Sequence, residues 1–172
     1  MELLTLIITG GNCGAEFQGL VVAQQFGIPT SGWMPKDWKT QDGAKPEYQE
    51  RFGMKEHSSS SYKDRTWANV EWACGTIRLA SNFQSPGEVC TLNAIKHYGK
   101  PYYDVHFDAY SGRLKDYKAP MNRQYYLAAR WIEDNNIKVL NIAGNSRRTN
   151  VGIEGSVNIF LTEVFRMLGY PR

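Results

Sequence analysis

The chain is 172 residues long. At roughly 150 residues per domain it is expected to fold as a single domain over residues 1–172. A chain of this size buries about 70% of its unfolded surface and needs neither disulfides nor metal to fold. Residues of the AVILMFWYC set make up 42% and charged residues 22%, which excludes disordered, collagenous and membrane-spanning classes. The formal net charge of +3 is too small an excess to imply a nucleic-acid partner.

The chain opens with Met1-Glu2-Leu3-Leu4-Thr5-Leu6-Ile7-Ile8-Thr9. This stretch has no basic region and meets Gly10-Gly11 before a signal-peptide core is complete. No apolar run reaches the roughly 20 residues that a bilayer crossing takes. Cys13, Cys74 and Cys90 are an odd, widely spaced set without a C-x-x-C pair, so neither a zinc site nor a disulfide framework is expected. A reducing cytoplasm is the expected compartment, with no membrane partner.

Leu3 to Ile8 reads as a buried strand, followed by the turn Gly10-Gly11-Asn12-Cys13-Gly14 and a helix from Ala15 to Phe26. Ser31 to His57, with Trp33, Pro35, Trp38, Gly43 and Pro46, reads as a long irregular loop running into Ser58 to Ser61, and a loop of that length is usually functional. Next come a helix from Tyr62 to Trp72, a strand from Thr76 to Ala80, a helix from Gly87 to Tyr98 and a strand from Pro101 to Phe107. Asp108 to Pro120 is a second irregular segment. Met121 to Asp134 is a helix, Lys138 to Ala143 a strand, and Ile153 to Leu168 a final helix with apolar residues at helical spacing. Apolar runs without polar alternation indicate strands covered on both faces. The expected fold is therefore a doubly wound, mainly parallel α/β sheet with helices on both faces.

In such a sheet ligands bind beyond the carboxyl ends of the strands. At the first turn, Gly10, Gly11, Asn12, Cys13 and Gly14 bring backbone amides and a helix start together, which suits a phosphate; the competing reading is a tight strand-to-helix turn. Cys13, at a helix start, is a candidate for a lowered thiol pKa. The second turn ends in Ser85-Pro86-Gly87-Glu88, which has the form of a capping box with proline at the first helical position. Ser85 is then a cap before it is a site. The Glu88 carboxylate would occupy the helix start and repel a phosphate there, while remaining able to accept from a ligand hydroxyl. The third turn, Gly144-Asn145-Ser146-Arg147-Arg148, offers amide and hydroxyl donors beside two guanidinium groups. No dinucleotide fingerprint, Walker A loop, G-x-S-x-G elbow or H-E-x-x-H motif is present, and His57, His97 and His106 are too scattered for a triad.

Gly10-Gly11-Asn12-Cys13-Gly14, Gly27-Ile28-Pro29-Thr30-Ser31-Gly32-Trp33-Met34-Pro35-Lys36 with Asp42-Gly43, then Tyr62, Arg65-Thr66, Asn69-Val70, Gly99-Lys100-Pro101 and Val139 to Gly144 resemble, in order, the circularly permuted YpsA-like family. That family is described as candidate molybdenum carriers. It belongs to the Rossmann-like SLOG superfamily, related to the LONELY GUY phosphoribohydrolases. The resemblance implies a pocket for a nucleotide-like or pterin-phosphate ligand, with the first turn on the phosphate and Trp33 and Lys36 closing over it. It also brings Arg65 and Asn69 into the ligand set.

Departures from the family pattern are specific. Cys13, Glu16 and Phe17 stand where relatives have Thr, Asp and Arg, and Glu88 stands where they have a second glycine. The phosphoribohydrolase motif laid on Pro86 to Ala94 keeps Pro86, Gly87 and Thr91 but meets Asn93 and Ala94 in place of its glutamates, which speaks against glycosidic cleavage.

The expected function is therefore binding, as carrier or sequestering protein, of molybdenum cofactor or a nucleotide-derived metabolite, with no required cofactor and no metal. The alternative is a nucleotide N-glycosidase using Glu88, Glu16 or Asp42, of which Glu88 is the catalytic candidate. An interaction module built on Asp108 to Pro120 has no motif behind it. Exposed apolar helix faces suggest a homodimer or higher homo-oligomer.

Overall fold

The computed structural model describes residues 4–115 and 121–171. Six parallel strands form one sheet in the order β5-β2-β1-β8-β6-β7. These are β1 (Leu6–Ile8), β2 (Thr30–Met34), β5 (Met54–Glu56), β6 (Gly75–Ala80), β7 (Tyr102–His106) and β8 (Val139–Gly144). Every residue of β6 is buried, as expected of a strand covered on both faces. Leu3, the predicted start of the first strand, lies outside the described residues.

Helices α1 (Ala15–Gln25), α5 (Met121–Asp134) and α6 (Ile153–Met167) share the larger core with the sheet. In that core Ile7, Ile77, Leu140, Ile142, Phe160 and Phe165 are essentially inaccessible. The other face carries α3 (Tyr62–Trp72) and α4 (Pro86–Tyr98), which pack through Val70, Ala94 and Ile95. Local sequence explains the helix ends. Ser61 caps α3 by accepting from the Lys63 N–H at 3.2 Å. Gly99 closes α4 in the left-handed conformation, φ 63°, which glycine adopts without steric cost.

The segment from Ser31 to His57 is not the expected structureless loop. It holds β2, a 3₁₀ turn at Lys36–Trp38, the hairpin β3 (Lys39–Thr40) and β4 (Gly43–Ala44), α2 (Tyr48–Phe52) and β5. These pieces are too short for a period to show. They are held by a separate small core in which Met34, Tyr48, Phe52 and Met54 pack on Leu20 of α1. The second irregular segment is ordered at its start, where the Asp108 carboxylate accepts from the N–H groups of Tyr110 and Ser111. Residues 116–120 of it lie outside the described residues.

β8 runs between β1 and β6, with α1 following β1 on one face and α4 following β6 on the other. The chain therefore leaves the strands on either side of β8 toward opposite faces, and a crevice opens above the carboxyl ends.

Candidate functional site

A cavity of about 400 Å³ occupies that crevice, within the range of small-molecule sites. Asn12, Cys13 and Glu16 line it from the start of α1, and Tyr62, Lys63, Arg65 and Thr66 from α3. Ser85, Pro86, Gly87, Glu88, Cys90 and Thr91 line it from α4, and Gly144, Asn145, Ser146 and Thr149 from the turn after β8. Gln41 reaches it from the hairpin. Ten of the residues expected in the site, Asn12, Cys13, Arg65, Ser85, Gly87, Glu88, Thr91, Gly144, Asn145 and Ser146, are thus brought together. Gly10, Gly11, Gly14, Trp33, Lys36 and Asn69 are not in the lining.

The first turn spends part of its donors on its own chain. Glu16 Oε2 accepts from the Asn12 N–H at 2.9 Å, and Oε1 accepts from Arg65 Nη1 at 2.7 Å. The Ala15 N–H donates to the Asn145 carbonyl at 3.1 Å, and the Gly11 N–H to Thr9 Oγ1 at 3.0 Å. A carboxylate from within the helix stands where a ligand anion was expected. Gly10 is needed because the Arg65 guanidinium lies against its Cα, where any side chain would collide. Gly14, at φ +100°, is needed because a Cβ there would stand 2.5 Å from the Asn145 carbonyl oxygen. Phe17 points away from the cavity onto Tyr48 and Phe52.

The start of α4 differs. Ser85 occupies the cap position without a side-chain bond to the helix, so the expected capping box does not form. Glu88 does not reach back to the cap but is buried, 2% exposed, beside Arg78 of β6. The first intrahelical bond runs from the Val89 N–H to the Ser85 carbonyl. Pro86 has no N–H, so the N–H groups of Gly87 and Glu88 are the two donors left without a helical partner at the positive end of the dipole. A Cβ on Gly87 would meet nothing within 4 Å.

Arg78 is already committed. Its Nε and Nη2 donate to both oxygens of Asp104 at 2.8 and 2.6 Å, and Nη1 donates to the Glu88 carbonyl at 3.2 Å. Glu88 Oε2 lies 3.7 Å from Arg78 Nη1 and has no hydrogen-bond partner. Burial pushes the Glu88 carboxyl up to about 7, against the pull of Arg78 and with a push from Glu16 and Asp104. Arg65 Nε is likewise buried without a partner. Cys13 does not have the lowered thiol pKa expected at a helix start, because burial raises it; burial raises Cys90 as well.

The third turn is a brace. Asn145, 2% exposed, accepts through Oδ1 from the N–H groups of Ser81 and Asn82 and donates through Nδ2 to the Asn82 carbonyl. It thereby ties the carboxyl end of β8 to that of β6. The two arginines that follow hold the hairpin rather than facing the cavity. Arg147 pairs with Asp42 at 2.9 Å and Glu154 at 2.7 Å, and Arg148 Nη2 donates to the Gln41 carbonyl at 2.7 Å. The Gln41 N–H donates to Asn12 Oδ1 at 3.0 Å, so the hairpin tip roofs the first turn.

That roof replaces the one expected from Trp33 and Lys36. Trp33 lies in a different hollow with His57 and Trp72, and Lys36 is exposed beside the Ser58–Ser61 tract, its N–H on the Ser59 carbonyl. Asn69 joins strands: its side chain accepts from the Trp33 N–H and donates to the Trp33 and Thr9 carbonyls. Tyr62, Lys63, Thr66, Gln41 and Cys90 were absent from the expected site; for Tyr62 and Thr66 the signal was their place in the same family block as Arg65.

The model of the circularly permutated YpsA SLOG family matches residues 7–165. The chain belongs to this family. Among solved structures, the family member is similar to the "putative molybdenum carrier protein" of Syntrophus aciditrophicus SB, at 29% identity over 95% of this chain and 96% of that one, with a TM-score of 0.82. Comparison with curated proteins finds no match. Among the described residues no group of three or more His, Cys, Asp or Glu is placed to hold a metal ion, and no helix is long and apolar enough to cross a membrane.

Proposed function

We propose that this cpYpsA protein binds a phosphorylated small molecule in the cavity above β1, β8 and β6, and carries or sequesters it. The observation that carries the reading is the pair of N–H groups of Gly87 and Glu88, without a helical partner and on residues that line a cavity of about 400 Å³. A helix start with unspent donors is an anion site. At the α1 turn Glu16 already holds the Asn12 amide, which favours α4 as the phosphate seat. Tyr62 lines the cavity with the cations of Arg65 and Lys39 over its ring, which keeps positive charge at this wall and suits an anionic ligand. The name of the Syntrophus relative supports a pterin phosphate carrying molybdenum as one cargo, and a nucleotide-derived metabolite has the same chemistry.

The deciding experiment is mass spectrometry of small molecules released by denaturing freshly purified protein, followed by titration with AMP. A co-purified pterin or nucleotide of intact mass supports carriage. A protein that releases nothing and does not bind AMP has no such function.

One observation favours a second reading. A buried carboxyl that titrates near neutrality, as Glu88 does, is suited to general acid catalysis. Under that reading, incubation with a nucleoside monophosphate releases free base and Glu88→Gln abolishes the release. Intact nucleotide after long incubation rejects it.

A further inference from the structure

The charges behind the cavity do not balance. Arg65 of α3 is paired with Glu16 of α1, and Arg78 of β6 with Asp104 of β7. Glu88 of α4 is a third carboxyl for two guanidinium groups, 2% exposed and with Oε2 lacking a hydrogen-bond partner. Among the described residues, Lys63 of α3, whose ammonium lies 5.4 Å from the Trp67 ring, and His106 of β7, packed on Phe83, are further basic residues on the elements facing it, and Cys13, Tyr62 and Cys90 are the other titratable groups in the cavity lining. The amide of Glu88 is one of the two donors left open at the start of α4. An anion on those amides would face, a few bonds away, a carboxylate that shares Arg78 with Asp104 and has no hydrogen bond on Oε2, at low dielectric where like charges repel strongly.

We propose that an anion binding at the start of α4 is taken up together with a proton on Glu88, so that the charge on this one side chain sets the affinity of the cavity. The proton comes from solvent, neutralises the Glu88 carboxylate and returns to solvent when the anion leaves. This rests on the reading that an anionic ligand sits in this cavity. It adds a direction: acidification loads the protein and alkalinity unloads it. It also gives a use to a carboxyl that the fold keeps buried at a cost, since a buried acid with an unsatisfied oxygen otherwise only destabilises.

Sulfate is the probe of choice, because it stays dianionic through the neutral range and does not titrate together with Glu88. Amide NMR of ¹⁵N-labelled protein reads both the place and the strength of binding. In the wild type, the Gly87 and Glu88 amides shift on adding sulfate, and the dissociation constant rises about tenfold from pH 6 to pH 8, following the protonated fraction of a group that half-titrates near 7. Glu88→Gln, which mimics the protonated acid at equal size, keeps the pH 6 affinity at pH 8. Asp104→Asn frees Arg78 to compensate Glu88 and moves the midpoint of the wild-type profile to lower pH.

Equal wild-type affinity at both pH values, a Glu88→Gln profile as steep as the wild type, or an Asp104→Asn midpoint that stays in place each overturns the coupling while leaving the site intact. Absence of Gly87 and Glu88 shifts in Glu88→Gln at both pH values overturns the site itself, since that variant carries no opposing charge.

Discussion

The turns that start α1 and α4 stand on either side of β8, at the carboxyl ends of β1 and β6, and both are glycine-containing helix starts of the kind that binds phosphate. They differ in where a carboxylate four or fewer residues into the chain has gone. At α1, Glu16 turns back onto the Asn12 amide and is locked there by Arg65. At α4, Glu88 turns inward toward Arg78 and leaves the Gly87 and Glu88 amides open. Glycine spacing alone does not make an anion site; what matters is whether the chain's own acid has already occupied the donors.

The largest effect expected from breaking this contrast is at α1. Arg65→Met strands the buried Glu16 carboxylate and should cost about 3–5 kcal/mol of stability in denaturant unfolding at neutral pH. Adding Glu16→Gln should recover most of that loss, and a double variant no better than the single would show that Arg65 acts through packing instead.

Glu88 predicts a pH dependence. Its folded value of about 7 lies above the ordinary carboxyl value of 4.5, so between these pH values the native state holds a proton that the unfolded chain has lost. Stability therefore falls as pH rises through that window, by a total of about 3 kcal/mol at roughly 1.4 kcal/mol per unit. Glu88→Gln should flatten the fall; parallel wild-type and variant curves would place the burial cost elsewhere.

Giving α4 what α1 already has sharpens the comparison. Gly87→Asp should place a carboxylate on the open amides, lower anion affinity about tenfold or more, and leave stability unchanged or raised by about 0.5–1 kcal/mol. A variant that still binds AMP or sulfate at full strength would move the phosphate seat away from α4. The smallest effect belongs to the roof. Arg147→Ala removes half-exposed ion pairs to Asp42 and Glu154 and should cost less than about 1 kcal/mol. Hydrogen exchange at the Gln41 amide should nevertheless quicken as the hairpin tip loosens, and unchanged exchange would assign the hold to Arg148 and Asn12.

Much of the fold was legible because its signals are local and long. The apolar runs around Ile7, Ile77, Val105 and Ile142 lie in strands of the sheet, and the periodic stretches ending near Gln25, Trp72, Tyr98, Asp134 and Met167 are helices. β2 and β5 were missed because Thr30-Ser31-Gly32-Trp33-Met34 and Met54-Lys55-Glu56 are short and polar in part; they become strands only by pairing with each other and with β1. The site was legible to the level of its three turns. Trp33 and Lys36, carried in by a contiguous family block, are led away from the cavity because β2 sends Trp33 into a hollow beside α3.

What the sequence by itself determined is the alternation of strands and helices, the parallel sheet that follows from runs buried on both faces, and the placing of glycines at three helix or strand ends. These depend on hydrophobic period and backbone sterics, which act between near neighbours. Only the tertiary structure decided where the acid at each helix start went. The rotamers of Glu16 and Glu88 are set by Arg65, 49 positions along the chain from Glu16, and by Arg78 and Asp104 on strands beneath α4. A charged side chain entering a low-dielectric interior goes to the nearest counter-charge, and that position is fixed by the fold rather than by the residues beside it.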